Sequence, residues 1–238
     1  MPVTNSNALQ EVCPKSSHRD DLAFSSLKGE VRARFKALGM EANHRPGATL
    51  FTEGEPAQYV YIVRSGRIKL SATSRNGKTM ILWIAEPGQV LGLTAALTAS
   101  QHEVSAEALE PCHTTAIGAK DLRNFLAKYP EASSEMTRYA LQEYQLIFGD
   151  ICRLALSATV AGRLANLLLD CLKRCGQAGQ TRPRFTMAFT HEEIAGMAGT
   201  SRETVSRILK QFQRDKVISI RGSSCTVLRP EVLERLTA

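Results

Sequence analysis

One stretch, THEEIAGMAGTSRETVSRILKQF from Thr190 to Phe212, limits what this chain can become. It divides into two helical pieces around Ala198-Gly199-Thr200. Thr190 with Glu193 has the Ser/Thr-x-x-Glu spacing of a capping box, and Thr200 with Glu203 repeats it. Each hydroxyl can satisfy an orphan amide of a first turn, so the spacing predicts two successive helix starts. Gly199 between them permits the sharp turn of a helix-turn-helix.

The second helix separates its residues by type. At about 100° per residue, with Arg202 set to zero, Val205, Ile208, Leu209 and Phe212 fall between roughly 240° and 340°. Arg202, Glu203, Ser206, Arg207 and Lys210 fall between roughly 0° and 140°. One face is an apolar stripe; the other forms hydrogen bonds. Two readings fit the polar face: the solvated side of a surface helix, or a reader of base edges. Arginine can bond guanine O6 and N7, and glutamate can accept from cytosine N4. The residues after Phe212 favour the second. In VISIRGSSCTVLRP, Ile218 to Arg221 and Cys225 to Leu228 read as strands around Gly222-Ser223-Ser224. A helix-turn-helix followed by a β-hairpin is a winged helix, with Arg221 near the wing tip. Such a hairpin can lie along phosphate while the helix enters the major groove.

The charge balance points to the same place. Residues 1–151 hold 16 Lys and Arg against 16 Asp and Glu, whereas residues 152–238 hold 14 against 7, so the whole net charge of +7 lies in the back. That locates the polyanion-binding surface there. No apolar run approaches the ~20 residues of a membrane span, and Met80 to Ala85 is strand length. The N-terminus has neither the basic start nor the apolar core of a signal peptide, so a cytoplasmic protein is expected, with no membrane partner. The six cysteines, Cys13, Cys112, Cys152, Cys171, Cys175 and Cys225, form no CxxC pair. Cys171 and Cys175 are one helical turn apart but have no nearby His, and Cys171 continues the apolar face of Leu167, Leu168 and Leu172; buried thiols are expected, not a metal site. No P-loop, GxGxxG, HExxH or nucleophile–base signature is present, so the chain reads as no enzyme.

In chain order, residues 1–29 are polar and aperiodic and predict a tail. Glu30 to Leu38 predicts a short helix. Turn signals at Pro46-Gly47, Gly54, Ser65-Gly66, Asn76-Gly77, Pro87-Gly88 and Gly92 then separate strand-length pieces. These are Thr49–Thr52, Tyr59–Val63, Arg67–Ala72, Thr79–Ala85 and Ala106–Ala116, which predict a β-roll over about 44–118. Asp121 to Lys128 predicts a helix stopped at Pro130. A long helix comes next, from Glu131 to about Leu156, with an apolar seam of Met136, Ala140, Tyr144, Ile147, Ile151 and Leu154. That seam either packs on the chain's own roll or pairs with a second copy; the helix's length favours a homodimer. Ser157 to Arg174 predicts another helix, Gly176–Arg184 a basic loop, and Phe185–Phe189 a short strand.

This order of parts resembles the CRP/FNR family of bacterial transcription regulators, relatives of the cyclic-AMP receptor protein and the fumarate–nitrate regulator. SRETVSRIL at 201–209, VAGRLANLLL at 160–169, and Gly54, Gly66, Gly88 and Gly92 carry the resemblance, which spans about 40–238. It implies an α+β protein: an antiparallel, cyclic-nucleotide-binding-like β-roll over 30–128, a dimerisation helix over 129–156, and a winged helix-turn-helix over 157–238. It implies that Arg202, Glu203, Ser206 and Arg207 read bases of a palindromic double-stranded operator. Arg202 looks like the cyclic-AMP receptor branch and its TGTGA-type half-site, whereas Ser206 looks like the fumarate–nitrate branch and its TTGAT-type half-site; TGTGA is the expectation. Thr190, His191, Ser201, Thr204, Lys210 and Arg221 would lie along phosphate. A loop such as 176–184 touches RNA polymerase in this family, though Arg182 and Arg184 fit an ordinary solvent loop equally well.

The effector side departs from the family. Its cyclic-nucleotide pocket uses a Gly-Glu pair for the ribose and an Arg-Ser/Thr-Ala run for the phosphate. Here the corresponding stretches are Gly92-Leu93 and Glu103-Val104-Ser105-Ala106, and Phe148-Gly149 stands at the adenine contacts. Leu93 replaces the carboxylate, and Glu103 would repel a buried phosphate. An iron–sulfur cluster needs four thiolates, three from an N-terminal run, where only Cys13 stands. No cofactor is therefore expected. A pocket of Leu91, Leu93, Leu97 and Phe148 would take an apolar molecule or be filled by its own side chains.

Overall fold

Strands with apolar residues on both faces need cover on both faces, and in this chain a second sheet and a layer of helices supply it. The computed structural model describes Phe24 and residues 26–77, 79–157, 159–174, 183–187 and 189–237; of residues 146, 147, 149–156 and 174 it describes the backbone alone. Two compact units result, one ending at Gly149 and one running from Asp150 to Ala238.

The first unit opens with helix α1 (Gly29–Ala37) and strands β1 (Gly39–His44), β2 (Thr49–Phe51), β3 (Tyr59–Ser65), β4 (Ile68–Thr73), β5 (Thr79–Ala85) and β6 (Val90–Leu91). Helix α2 (Leu93–Thr98), strands β7 (Ser105–Ala108) and β8 (Cys112–Gly118), helix α3 (Ala119–Lys128) and α4 (Pro130–Leu156) as far as Gly149 complete it. Two antiparallel four-stranded sheets form, ordered β1-β8-β3-β6 and β2-β7-β4-β5. Strand β3 shows how they are covered. Val60 and Ile62 pack with Phe35, Leu93, Leu122, Phe125, Met136 and Tyr139 from the helices. Val63, beside Tyr61, packs with Phe51, Ile68, Leu91 and Ala106 in a cluster drawn from both sheets.

The expected tail 1–29 is corrected at its end, where Phe24 and Leu27 are buried in the first unit's core and the Phe24 ring lies 3.9 Å from that of Phe35. The expected β-roll is present, with three corrections. It begins at Gly39 rather than His44: GMEANH has no β-branched residue, yet β1 pairs with β8 from Gly39 opposite Ile117 to His44 opposite Cys112. The expected strand Ala106–Ala116 is two strands, β7 and β8, in different sheets. Pro111, between them, has no amide for a central ladder. Helix α2 was not expected from the sequence at all.

Helix α4 starts at Pro130, where the missing N–H is one of the helix's orphans in any case. Its expected seam divides. Met136 is 3% exposed within the first unit's own core, and Ala140 packs against that core. These two face the roll, not a partner. Tyr144, by contrast, is 62% exposed, with Leu141 and Phe148 also exposed, and its ring stacks on Phe148 at 5.7 Å. At about 100° per residue, Leu141, Tyr144 and Phe148 form a stripe roughly 110° round from Met136. The side chains of Ile147, Ile151 and Leu154 lie outside the described residues.

One polar knot ties α4 to the sheet. The Val90 amide donates to the Tyr139 hydroxyl at 2.9 Å, and that hydroxyl donates to Glu143. Burial pushes the Glu143 carboxyl up to about 7, against the lowering effect of its bonds from Tyr139 and Val90; burial also pushes the Tyr139 hydroxyl up.

In the second unit, α5 (Val160–Arg174) precedes β9 (Arg184–Thr186), α6 (His191–Ala198), α7 (Arg202–Arg214), β10 (Ile218–Arg221), β11 (Ser224–Val227) and α8 (Pro230–Leu236). The strands form one antiparallel sheet, ordered β10-β11-β9. Leu168 of α5 is buried, as its apolar face predicts, and so is Leu164 one turn earlier. The hairpin turn is Gly222-Ser223 alone, because Ser224 already pairs with Arg221. Most of the expected loop 176–184 lies outside the described residues, and the expected strand Phe185–Phe189 is Arg184–Thr186. Among the described residues no helix is long and apolar enough to cross a membrane.

The turn between α6 and α7 corrects one cap. Thr190 caps α6 in the expected box: its hydroxyl accepts from the Glu193 amide at 3.2 Å, and the Glu193 carboxylate accepts from the Thr190 amide at 2.6 Å. For α7 the cap is Ser201, not Thr200. Gly199 closes α6 in the left-handed region at φ 61, and the Thr200 amide still returns to the Ala195 carbonyl at 3.0 Å. Thr200 is thus spent on ending α6. Extended Ser201 then accepts from the Thr204 amide at 3.3 Å.

Two outcomes are expected. Between about pH 4.5 and about 7 the folded state holds a proton on Glu143 that the unfolded chain releases, so rising pH lowers stability across that window by on the order of 1–3 kcal/mol. Glu143→Gln should remove that slope in urea unfolding at several pH values; an unchanged slope would show that the carboxyl titrates normally. Ser201→Ala should cost about 1 kcal/mol and Thr200→Ala less than about 0.5 kcal/mol, and the same unfolding curves would expose a reversed order.

Candidate nucleic-acid interface

The two caps and the left-handed Gly199 fix where α7 starts, and the apolar stripe fixes which way it faces. Val205 is 0% exposed, and Ile208, Leu209 and Phe212 are also buried. Buried with them in the second unit are Ile194, Met197 and Ala198 of α6, Leu164 and Leu168 of α5, and the sheet residues Phe185, Ile218 and Val227. With that face committed, Arg202, Glu203, Ser206, Arg207, Lys210 and Arg214 line one open surface. All but Ser206 are exposed. Among the described residues none of Arg202, Arg207, Lys210, Arg214 and Arg221 is in an ion pair.

Glu203 sits in the first turn of α7. Its own backbone amide and the Ser201 hydroxyl hold its carboxyl below the usual range, which keeps it an ionised acceptor. Ser206 does not stand alone: its Oγ lies 2.9 Å from Nδ1 of His191, the first residue of α6. Ser201 and Thr204 hydroxyls lie 3.2 Å apart and are occupied by the cap. Thr190 likewise holds the start of α6, and Arg221 is exposed at the wing turn. The structure therefore brings the expected base-reading residues together on α7, with His191 beside them.

The sequence reading missed one supporting residue. Arg163 of α5 donates from Nε to the Ala198 carbonyl at 2.7 Å, satisfying a terminal carbonyl of α6 just ahead of the turn. An arginine inside the otherwise uncharged run VAGRLANLLL was the only available signal.

On the effector side, Gly92 takes φ 75 at the start of α2, and a Cβ there would come within 2.9 Å of the His102 ring. His102 is 5% exposed and stacks on Phe51 at 3.9 Å, and burial holds its imidazole pKa down. Leu93 lies in the helix-side core, whereas Leu91 lies in the cluster drawn from both sheets. Leu97 packs on the helix side, and Phe148 is exposed. The expected single pocket of Leu91, Leu93, Leu97 and Phe148 is therefore not formed, because β6 ends at Leu91 and the chain turns at Gly92, so Leu93 opens α2 in the helix-side core. Glu103 is exposed, Val104 packs on the inter-sheet cluster, and the Ser105 hydroxyl accepts from the Glu53 amide at 3.0 Å. Cys112 and Cys225 are buried and Cys171 is half-buried; Cys13 and Cys175, and the side chain of Cys152, lie outside the described residues. Burial pushes the Cys225 thiol up to about 12. Among the described residues no group of three or more His, Cys, Asp or Glu could hold a metal ion.

Known proteins share both halves. A cyclic nucleotide-binding domain model matches residues 41–129, and a Crp-like helix-turn-helix domain model matches residues 162–236. A CRP-like cAMP-activated global transcriptional regulator of Mycobacterium tuberculosis is 30% identical over 189 residues, covering 79% of this chain and 84% of that protein. The fumarate and nitrate reduction regulatory protein of Escherichia coli is 28% identical over 192 residues, covering 80% of this chain and 75% of that protein. Among solved structures, a CooA mutant from Carboxydothermus hydrogenoformans shares the fold with a TM-score of 0.73 at 19% identity, covering 95% of this chain and 98% of that one. These relatives are named as regulators and not as enzymes, and with the cationic helix already in place the chain belongs to the CRP/FNR family of transcription regulators, with a helix-turn-helix DNA-binding domain.

Proposed function

We propose that two copies of this chain bind a two-fold symmetric DNA operator, each laying α7 in a major groove, with the grooves about 34 Å apart. The observation that carries this reading is the α7 surface itself: its apolar side is committed to the core, and its unpaired cations face out beside a serine and a carboxylate. Arg202 and Arg207 have the fork that pairs with guanine O6 and N7, and Glu203 can accept from cytosine N4. Thr190, His191, Ser201, Thr204, Lys210 and Arg221 surround them along phosphate and sugar, which gives register and salt dependence rather than sequence preference. Arg202 favours a TGTGA-type half-site; Ser206 favours the TTGA type.

Self-association through α4 is part of the proposal. Leu141, Tyr144 and Phe148 expose an apolar stripe at helical spacing, and a second copy of the same stripe is a matching cover. RNA polymerase is proposed as a partner of the 176–184 loop, in which Arg184 is exposed.

The effector differs from that of the M. tuberculosis relative, whose name describes activation by cAMP. The residues here do not fit a cyclic nucleotide. Leu93 stands where the ribose carboxylate is needed and is held in the hydrophobic core, while the 103–106 run holds no arginine and its one charged group is the carboxylate of Glu103. Another ligand, redox control through a cysteine, and regulation by the amount of protein alone all fit these residues.

Selection of bound duplexes from a random library is the test. The wild type should return a palindromic motif that added cyclic AMP leaves unchanged. Arg202→Ala should flatten preference at one base pair per half-site, at a cost of about 1–3 kcal/mol; an unchanged motif for that variant removes Arg202 from base reading. For the dimer, Tyr144→Glu with Phe148→Glu should convert the protein to monomers in analytical ultracentrifugation. Retained dimers would place the seam elsewhere.

A further inference from the structure

Ser206 occupies the middle of the polar arc of α7, with Arg202 on one side of it and Lys210, Glu203 and Arg207 on the other. It is also the shortest side chain there, so a base edge that reaches it comes closest to the helix backbone. Its hydroxyl is not free, because His191 Nδ1 stands 2.9 Å from Oγ. The other ring nitrogen, Nε2, has no protein partner among the described residues. Packing does not require this bond. Helices α6 and α7 are already joined by Ile194, Met197, Val205, Ile208 and Leu209, all buried, and by the Gly199 turn.

We propose that His191 is a positioning residue that fixes the direction of the Ser206 hydroxyl, so that Ser206 presents only an acceptor to the groove and selects a base carrying an exocyclic amine, adenine or cytosine. The inference rests on the proposed DNA binding through α7 and deepens it. A phosphate oxygen can only accept, so an imidazole that lies against the DNA backbone points an N–H at it, and that nitrogen is Nε2. In the neutral ring the remaining nitrogen, Nδ1, then carries a lone pair and no hydrogen. While the ring is neutral, Ser206 therefore donates to Nδ1, and its single proton is used. What remains for the groove is the lone pairs of Oγ. Adenine N6 and cytosine N4 donate in the major groove and match them; guanine O6 and thymine O4 are acceptors and do not. A backbone contact, which by itself carries no sequence information, is thus converted into a base preference one side chain away. Without His191 the hydroxyl rotates freely and can donate as readily as accept, so the discrimination disappears while the serine remains.

The test uses the full chain and a random-sequence duplex library, comparing wild type with Ser206→Ala, His191→Ala, His191→Phe and the Ser206→Ala/His191→Ala double variant. Ser206→Ala should flatten one base pair per half-site that the wild type fills with an amine-bearing base, a loss of roughly tenfold in preference. His191→Ala should flatten the same base pair by a similar factor, the double variant no further, and the positions read by Arg202 and Arg207 should be unchanged. His191→Phe keeps a ring without nitrogens and should behave as His191→Ala does. Three results would overturn the inference while leaving DNA binding intact: His191 variants that weaken all sequences equally and keep the motif, a His191→Phe protein that selects as wild type does, or a Ser206→Ala protein with an unaltered motif. A wild-type protein that selects no motif would overturn the DNA-binding reading together with it.

Discussion

The burial of Val205, Ile208, Leu209 and Phe212 sets the direction of everything else in the DNA-binding half. Each fully buried aliphatic or aromatic side chain is worth about 1.5–3 kcal/mol relative to exposure. Holding several exposed cations on one helix face costs on the order of a few tenths of a kcal/mol per like-charge pair. The apolar term wins by a wide margin, so α7 has no competing orientation, and its arginines point outward because the other side is committed. The residual repulsion is small against that burial, so the chain holds it without a partner.

The same logic of two committed faces runs through the first unit. Strand β3 sends Val60 and Ile62 to the helices and Val63 to the opposite sheet, so both of its faces are filled by the chain itself. That filling makes the roll's architecture rest on the chain's own side chains. Leu93 does for the core what a carboxylate would do for a ribose, and one side chain cannot do both. Gly92 must stay a glycine for a reason unrelated to any ligand: φ is positive there and the His102 ring lies against it. The knot of Val90, Tyr139 and Glu143 then joins α4 to the sheet at a place where a titrating carboxyl is costly to bury.

Much of this was legible in the residues because it is periodic or local. The α7 stripe, the Thr190 box, the Gly222 turn and the length of α4 are each fixed within a few residues of themselves. The rest depended on partners distant in sequence. Thr200 and Ser201 both precede a helix-favouring run, and only the left-handed closure at Gly199 decides between them. Strand β1 has no strand-like composition and exists because β8 offers it a ladder. Met136 and Tyr144 read as one seam, since both are apolar and eight residues apart; the roll covers the first and leaves the second open. Arg163 and the His191–Ser206 pair were illegible for the same reason, because each bond crosses between helices.

The most direct test of the central claim, that a helix pinned by its apolar side offers its cations to base pairs, is equilibrium binding of the full chain to a selected palindromic duplex and to a scrambled duplex of the same composition, across a range of salt concentrations. The palindrome should be held at least about a thousandfold more tightly at near-physiological salt, and both affinities should fall linearly on logarithmic axes as salt rises. Equal affinity for the two duplexes at that salt concentration would contradict it.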